Sequence, residues 1–288
     1  MKSSRNVLFV SQSPVGDCDP PAAWIGGKRH LARRICASLA ATPHAAYAEP
    51  FIGMGGVFLR RRVRPPVEVM NDISGDVVTL FRVLQRFPEA LTRELRWRPA
   101  MRSEFDRLKE ARDCDLLDIE RAARFLYFQT LAFGGKVDGQ SFGTATQQPH
   151  NFDLRRIEKR IARLHERLAG VVIENLDWLD FIGRYDREGT LFYLDPPYWG
   201  SESDYGRGLF VQGDFQRMAD RLQAGKGKFL LSINDRPELR EIFAWADIEA
   251  VKTTYSIAGG GKVDTNVGEL LIGRGVELAP AAAQARLL

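Results

Sequence analysis

Four consecutive residues of the 288-residue chain, Asp195-Pro196-Pro197-Tyr198, join a carboxylate, two conformationally locked carbonyls and an aromatic ring. Each proline fixes its φ and removes an amide donor, leaving its carbonyl to accept hydrogen bonds from a rigid loop. Asp195 adds a carboxylate acceptor. Such a rigid pair of acceptors suits an exocyclic amine, whose N–H groups are bound so that its lone pair points at an electrophile. Tyr198 offers a flat surface on which a base can stack. In isolation a tetrapeptide of this kind is more often a surface turn. Here it ends an apolar strand, Leu191-Phe192-Tyr193-Leu194.

A second chemistry-bearing segment lies upstream. The short apolar run 46–51 leads into Gly53-Met54-Gly55-Gly56, where missing side chains let the backbone approach a ligand closely. Glu49 and Asp72 can accept bonds from a ribose or an amine. Asp72 follows Gly53 at close to the roughly 20-residue spacing of a ribose-binding carboxylate. The G-x-G-x-x-G pattern is nevertheless broken, because Phe58 stands where the third glycine would be and the strand ends in Glu49-Pro50. No pyrophosphate is expected. The glycine segment by itself fits a tight turn as well as a cofactor cradle.

These segments need a scaffold, and the hydropathy pattern supplies one. Residues 28–40 carry Leu31, Ile35 and Leu39 at helical spacing. Strand, glycine turn and helix (57–62) come next, then a strand at 67–70, closed by Asn71-Asp72, and a helix over 76–87 that Pro88 helps to end. The alternation then lapses into helical stretches at 89–112 and 118–133, a Gly- and Gln-rich segment at 134–150, and a basic helix at 154–168. It resumes with strands at 171–174 and 191–195, a short helix near Trp178, a helix over 214–223, a strand at 228–233, a helix over 237–244 and two strands, 248–256 and 267–272, able to pair antiparallel.

The expected fold is therefore α/β: an open, mostly parallel sheet with helices on both faces, interrupted by a largely helical insertion. The parent domain occupies 21–87 and 171–273, the insertion 88–170, and flexible termini 1–20 and 274–288. Ligands of such sheets bind beyond the carboxyl ends of the strands, so Gly53, Asp72 and Asp195 should converge on one crevice.

Composition sets the outer bounds. A balance of 41 Lys+Arg against 37 Asp+Glu, net +4, favours an acidic partner without specifying one. Cys18, Cys36 and Cys114 lack the paired spacing of a zinc site, and no metal ligands are assigned. No apolar run approaches the roughly 20 residues of a membrane span, and a soluble, reduced, cytoplasmic protein without a membrane partner is expected.

In these residues the chain resembles the Dam-type DNA adenine N6-methyltransferases, which have a Rossmann-like methyltransferase fold and use S-adenosylmethionine. Trp24-Ile25-Gly26-Gly27-Lys28 is similar to the family's amino-terminal cofactor motif. Glu49-Pro50-Phe51-Ile52-Gly53-Met54-Gly55 matches its E-P-F-x-G-x-G motif, Asn71-Asp72-Ile73 its acidic motif, and Asp195 to Tyr198 its catalytic motif. The resemblance implies that Trp24, Lys28, Glu49, Phe51, Gly53, Gly55, Asp72 and Asp195 bind the cofactor, and that Asp195, Pro196 and Tyr198 serve a flipped-out adenine whose N6 attacks the methyl group in line. Related enzymes acting on glutamine side chains begin the catalytic motif with Asn and many cytosine N4 enzymes with Ser, so Asp favours adenine.

The implied partner is double-stranded DNA. The helix at 154–168 carries Arg155, Arg156, Lys159, Arg160, Arg163 and Arg167 against only Glu158 and Glu166, and is the expected phosphate-contacting element. Within the insertion, which the resemblance assigns to target recognition, Lys136, Gln140 and Gln148 are candidates to read base edges and Phe142 to wedge into the stack. Gly134 to Gly143 departs from the family's usual recognition pattern, so no target sequence is assigned. Three readings compete with DNA adenine methylation: methylation of another nucleic-acid amine, a non-catalytic DNA-binding descendant, and, more distantly, a nicotinamide enzyme.

Overall fold

The computed structural model describes residues 12–24, 28, 31–132, 141–143, 152–202, 208–254 and 266–280. Its elements run β1 (Ser13–Pro14), α1 (Ala32–Ala41), β2 (Ala46–Glu49), β3 (Val63–Arg64), β4 (Val67–Asn71), α2 (Gly75–Arg86), α3 (Pro88–Arg96), α4 (Arg102–Glu110), α5 (Asp118–Leu131) and α6 (Leu154–Arg167). The second half holds β5 (Val172–Glu174), α7 (Trp178–Tyr185), β6 (Thr190–Leu194), α8 (Gln212–Ala224), β7 (Lys228–Asn234), α9 (Pro237–Ile242), β8 (Asp247–Thr254) and β9 (Asn266–Arg274).

Seven strands form one sheet in the order β5-β4-β2-β6-β7-β9-β8. All neighbours are parallel except β9, which runs antiparallel to both β7 and β8. β6 is buried along its whole length, as a central strand covered on both faces must be. Side chains alternate between the faces: Tyr47, Met70, Leu191 and Tyr193 pack with α1, α2, α5 and α6. Ala48, Val69, Phe192 and Leu194 pack on the other face with α7 and α8. From β2 the chain moves outward to β4 and β5, then returns to β6 and moves the other way, so the topological switch point lies between β2 and β6. No described helix is long and apolar enough to cross a membrane.

Four expectations are corrected. The helix expected at 57–62 is only a 3-10 turn, Phe58–Arg60, because the chain becomes extended at Arg61 to form β3. The stretch 89–112 is two helices, α3 and α4; Pro99 lacks an amide and disfavours helical backbone at Arg98, which breaks the run. The amino-terminal arm is docked from Ser13 onward, where β1 pairs with β3 and the Cys18 amide donates to the Leu59 carbonyl. The carboxyl-terminal segment is held as far as Ala279, whose amide donates to Ser38 Oγ and whose carbonyl accepts from Arg34 Nε.

Beneath the sheet, Glu68 at the start of β4 is fully enclosed and takes Arg61 Nη1 at 2.8 Å and Arg167 Nη1 at 2.8 Å. Arg61 also lies 3.5 Å above the Tyr47 ring. Removing one member of such a cluster strands the others as buried charges. Glu68→Ala should therefore lower the unfolding free energy by about 3–5 kcal/mol, read as a fall in urea midpoint, with methyl transfer by the remaining folded fraction unchanged.

Candidate functional site

The ends of β2, β4 and β6 open on the same side, and short polar contacts lock the loops that leave them. Asp72 Oδ2 accepts the Gly53 amide at 2.9 Å and Asp72 Oδ1 the Ser74 amide at 2.9 Å, which ties the glycine loop to the end of β4. Asn71 donates from Nδ2 to the carbonyls of Pro50 and Leu176, each at 3.0 Å, and accepts the Leu176 amide at Oδ1. Its single amide thus joins the segments after β2, β4 and β5. Gly53 and Gly55 hold φ of +47° and +72°, a region that disfavours other residues. A Cβ at Gly53 would also lie 2.6 Å from Trp24 Nε1, so this glycine makes room for the indole as well as for any ligand.

A cavity of about 470 Å³ fills the crevice, within the range of small-molecule sites. Of the site residues expected from the sequence, Trp24, Lys28, Glu49, Phe51, Gly53, Asp72 and Asp195 line it; Gly55, Pro196 and Tyr198 do not. Gly55 shapes the turn against Leu59, Pro196 is buried, and Tyr198 stands behind Lys28. The apolar wall is completed by Ile73, Trp178 and Phe210, with Phe51 edge-on to Phe210 at 5.9 Å. Aromatic walls with carboxylates at both ends suit a nucleoside-like ligand that carries positive charge.

At the inner end the ammonium of Lys28 sits among three acceptors: Asp195 Oδ1 at 2.7 Å, Tyr198 Oη at 2.6 Å and Glu269 Oε1 at 3.0 Å. The Tyr198 hydroxyl donates in turn to Glu269 Oε1 at 2.9 Å. Ser232 Oγ donates to Asp195 Oδ1 at 3.3 Å and pairs with Tyr193 Oη at 2.7 Å. Asn234, two residues along β7, accepts the Trp199 amide and donates to the Trp199 carbonyl, both at 3.0 Å. The catalytic-motif loop is thus clamped to β7 before and after its prolines. Both bonds to Asp195 fall on Oδ1; among the described residues no donor is bonded to Oδ2.

Burial raises the Asp195 carboxyl to about 6, with Lys28 opposing the shift and Glu269 adding to it. Asp72 also rises to about 6, chiefly from burial, against the pull of its backbone bonds. Glu49 rises furthest, to about 8, because burial outweighs the Tyr47 hydroxyl bond and the Arg61 charge. A carboxyl raised on folding binds its proton more tightly in the native state. The resulting stability is complete below the unfolded value near 4.5 and is lost as pH climbs through about 8. Glu49→Gln should remove this dependence, so that the variant gains on the order of 2 kcal/mol relative to wild type between pH 6 and pH 9. Urea unfolding at both pH values measures the gain.

The basic helix α6 divides into two functional halves. Arg167 is consumed by Glu68 and the Phe58 carbonyl, Arg160 donates to the Pro21 carbonyl, and Arg163 to the Asp17 carbonyl. All three bonds tie the helix to its neighbours, and the expected phosphate role is corrected for Arg167, which is buried. Arg155 and Arg156 are 91% and 83% exposed, and Lys159 is exposed. Arg160, in the middle of α6, also lines the cavity. Lys136, Gln140 and Gln148 lie outside the described residues. Phe142 packs edge-on to Phe105 at 5.7 Å, a structural contact rather than a free wedge.

Sequence reasoning missed Ser232, Asn234 and Glu269. Their signal was present: polar residues two apart in the apolar run of β7, and a lone carboxylate in the apolar run of β9, mark one strand face turned toward a polar site.

The family model described as D12 class N6 adenine-specific DNA methyltransferase matches residues 24–257. A Type II methyltransferase, M.CviBI, of Paramecium bursaria Chlorella virus NC1A is 21% identical over 230 residues, covering 78% of this chain and 86% of its own length. The DNA adenine methylase of Vibrio cholerae serotype O1 is 24% identical over 274 residues, covering 86% and 93% respectively.

Proposed function

The chain belongs to the D12 class N6 adenine-specific DNA methyltransferases, and on that premise we propose that it takes its methyl group from S-adenosylmethionine bound in the crevice between β2 and β6 and delivers it to an adenine flipped out of double-stranded DNA. The observation that carries this reading is the position of Asp195: its carboxylate stands in the cavity wall with Oδ1 occupied by Lys28 and Ser232 and without a described donor on Oδ2.

The cofactor, when bound, supplies an electrophilic sulfonium methyl. Trp24, Phe51, Trp178 and Phe210 offer flat apolar contact to its nucleoside, and Asp72, already ordered by two backbone amides, retains lone pairs for a ribose or amine. Lys28 and Ser232 hold Asp195 by one oxygen and leave the other to accept an N6 proton. The Pro196 carbonyl supplies the second acceptor, so the amine is held by both N–H groups with its lone pair on the attack axis. As N6 becomes positively charged, the Asp195 carboxylate stabilises that charge and is the acceptor for the departing proton. Tyr198 carries the Lys28 ammonium over one face of its ring, 4.4 Å from the centroid, and the opposite face is the one assigned to the base.

The helical insertion, 88–170, is assigned to DNA recognition, with the exposed Arg155, Arg156 and Lys159 in the amino-terminal half of α6 as phosphate contacts. Incubating the protein with plasmid DNA and methyl-labelled S-adenosylmethionine, then mapping modified bases, should show N6-methyladenine alone. Label on cytosine, on added RNA in preference to DNA, or on nothing would reject the assignment.

A further inference from the structure

Among the described residues the most exposed large apolar side chain is Trp97, 82% accessible where α3 ends. Its backbone is well held. The Trp97 amide donates to the Leu95 carbonyl, Arg98 Nη2 pairs with Glu94 at 2.6 Å, and the Tyr127 hydroxyl donates to the Pro99 carbonyl at 2.7 Å. The turn between α3 and α4 is thus braced, and the indole stands in water on a fixed support. Across from it, Phe152, Leu154 and Arg155 at the start of α6 complete a groove that Trp97 and Arg96 line from the other side. Arg96 reaches Glu158 at 3.1 Å, and Arg155, 91% exposed, approaches Asp153 only to 3.7 Å. Ion pairs of such exposed arginines are weak and exchange readily for a phosphate. Indole and guanidinium are the groups that interfaces use as anchors, and this groove sets them side by side.

We propose that the groove is a second DNA-contact site, in which the Trp97 indole lies against a deoxyribose flanking the target base while Arg96 and Arg155 take the phosphates on either side of that sugar. The inference rests on the DNA reading above and extends it to a contact that carries no base information, since only sugar and phosphate are touched. Its position suits that role. Arg155 stands five residues before Arg160, a rise of about 8 Å along the helix, and Arg160 lines the cavity. That step is shorter than the roughly 12 Å across a major groove, so a duplex presenting an adenine to the cavity lies within reach of Trp97. Two copies of the chain meeting on this face would instead bring the same arginines near one another.

Fluorescence anisotropy of a labelled 30-base-pair duplex of mixed sequence, over a range of salt concentrations, tests the site. Trp97→Ala should weaken binding about tenfold without changing the salt slope, because the indole is uncharged, and Trp97→Phe should recover most of the loss. Arg155→Ala should lower the slope by about one. The urea midpoint and the affinity for S-adenosylmethionine should match wild type in all three variants. Binding by Trp97→Ala within about twofold of wild type would overturn the proposal while leaving the DNA reading intact. So would sedimentation showing that wild type self-associates and Trp97→Ala does not, with DNA affinity unchanged, since the face would then belong to a second copy. Should Trp97→Ala not fold, an unchanged salt slope in Arg155→Ala would overturn the site by itself. Failure of wild type to bind the duplex even at low salt would overturn the DNA reading and the inference together.

Discussion

Asp195→Ala should lower kcat for methyl transfer by about 10²–10³-fold, the cost of deleting one preorganised group aimed at transition-state charge, while DNA affinity and the urea midpoint stay near wild type. The fold should tolerate the change because Lys28 keeps Glu269 and Tyr198 as partners. The loss should fall on kcat, since an amine bound in the ground state is uncharged and its interaction with Asp195 strengthens only as the methyl arrives. Asp195→Asn should be nearly as damaging. If its amide oxygen faces Lys28, its NH2 group faces the substrate amine, donor against donor; the reverse rotamer sets it against the ammonium. Single-turnover label transfer with saturating DNA gives kcat free of product release. A drop of less than about threefold in Asp195→Ala would remove the carboxylate from the chemistry.

Much of this arrangement was legible in the chain, for local reasons. The run Leu191-Phe192-Tyr193-Leu194 is apolar at every position, as a parallel central strand requires, and the residues just after such a strand lie at its carboxyl end by geometry alone. Gly53 and Asp72 were found in the same way, and their direct bond, Gly53 amide to Asp72 Oδ2, arises because β2 and β4 lie side by side. The division of labour along α6 was hidden. Arg155 and Arg167 are the same residue type on one helix, yet one is 91% exposed and the other buried against Glu68; which face of the helix meets β4 is set by packing from a segment some hundred residues away. Glu269 was missed because its role depends on β9 turning back beside β7, which places it opposite Asn234. Spacing within a sequence cannot express an antiparallel return of that kind. The break between α3 and α4 was signalled by Pro99 and overlooked in favour of the longer helical pattern.

Lys28→Met should act through Asp195 and reveal itself in the pH dependence of the reaction. In the wild type the Asp195 carboxyl titrates at about 6, a value that burial raises and that the Lys28 ammonium, the strongest opposing influence, holds down. Turnover that requires the carboxylate should therefore rise through about pH 6 and be near its plateau at pH 7.5. Without the ammonium, Asp195 loses the charge that holds its carboxyl down against burial, and it retains its proton to higher pH. The acid limb should move up by at least about one unit, so that kcat at pH 7 falls at least about twofold, or about tenfold for a two-unit move, and recovers toward pH 9. Stability should change with the same sign. A proton held more tightly by the folded state favours folding below the unfolded carboxyl value, and that advantage is lost as pH rises through the elevated one. The variant should accordingly lose more unfolding free energy than wild type between pH 6 and pH 9. A pH-independent loss of activity would instead mean that Lys28 serves only to bind a ligand. An acid limb still at about 6 would show that the ammonium 2.7 Å from Asp195 does not set its charge, and the electrostatic account of this site would fall with it.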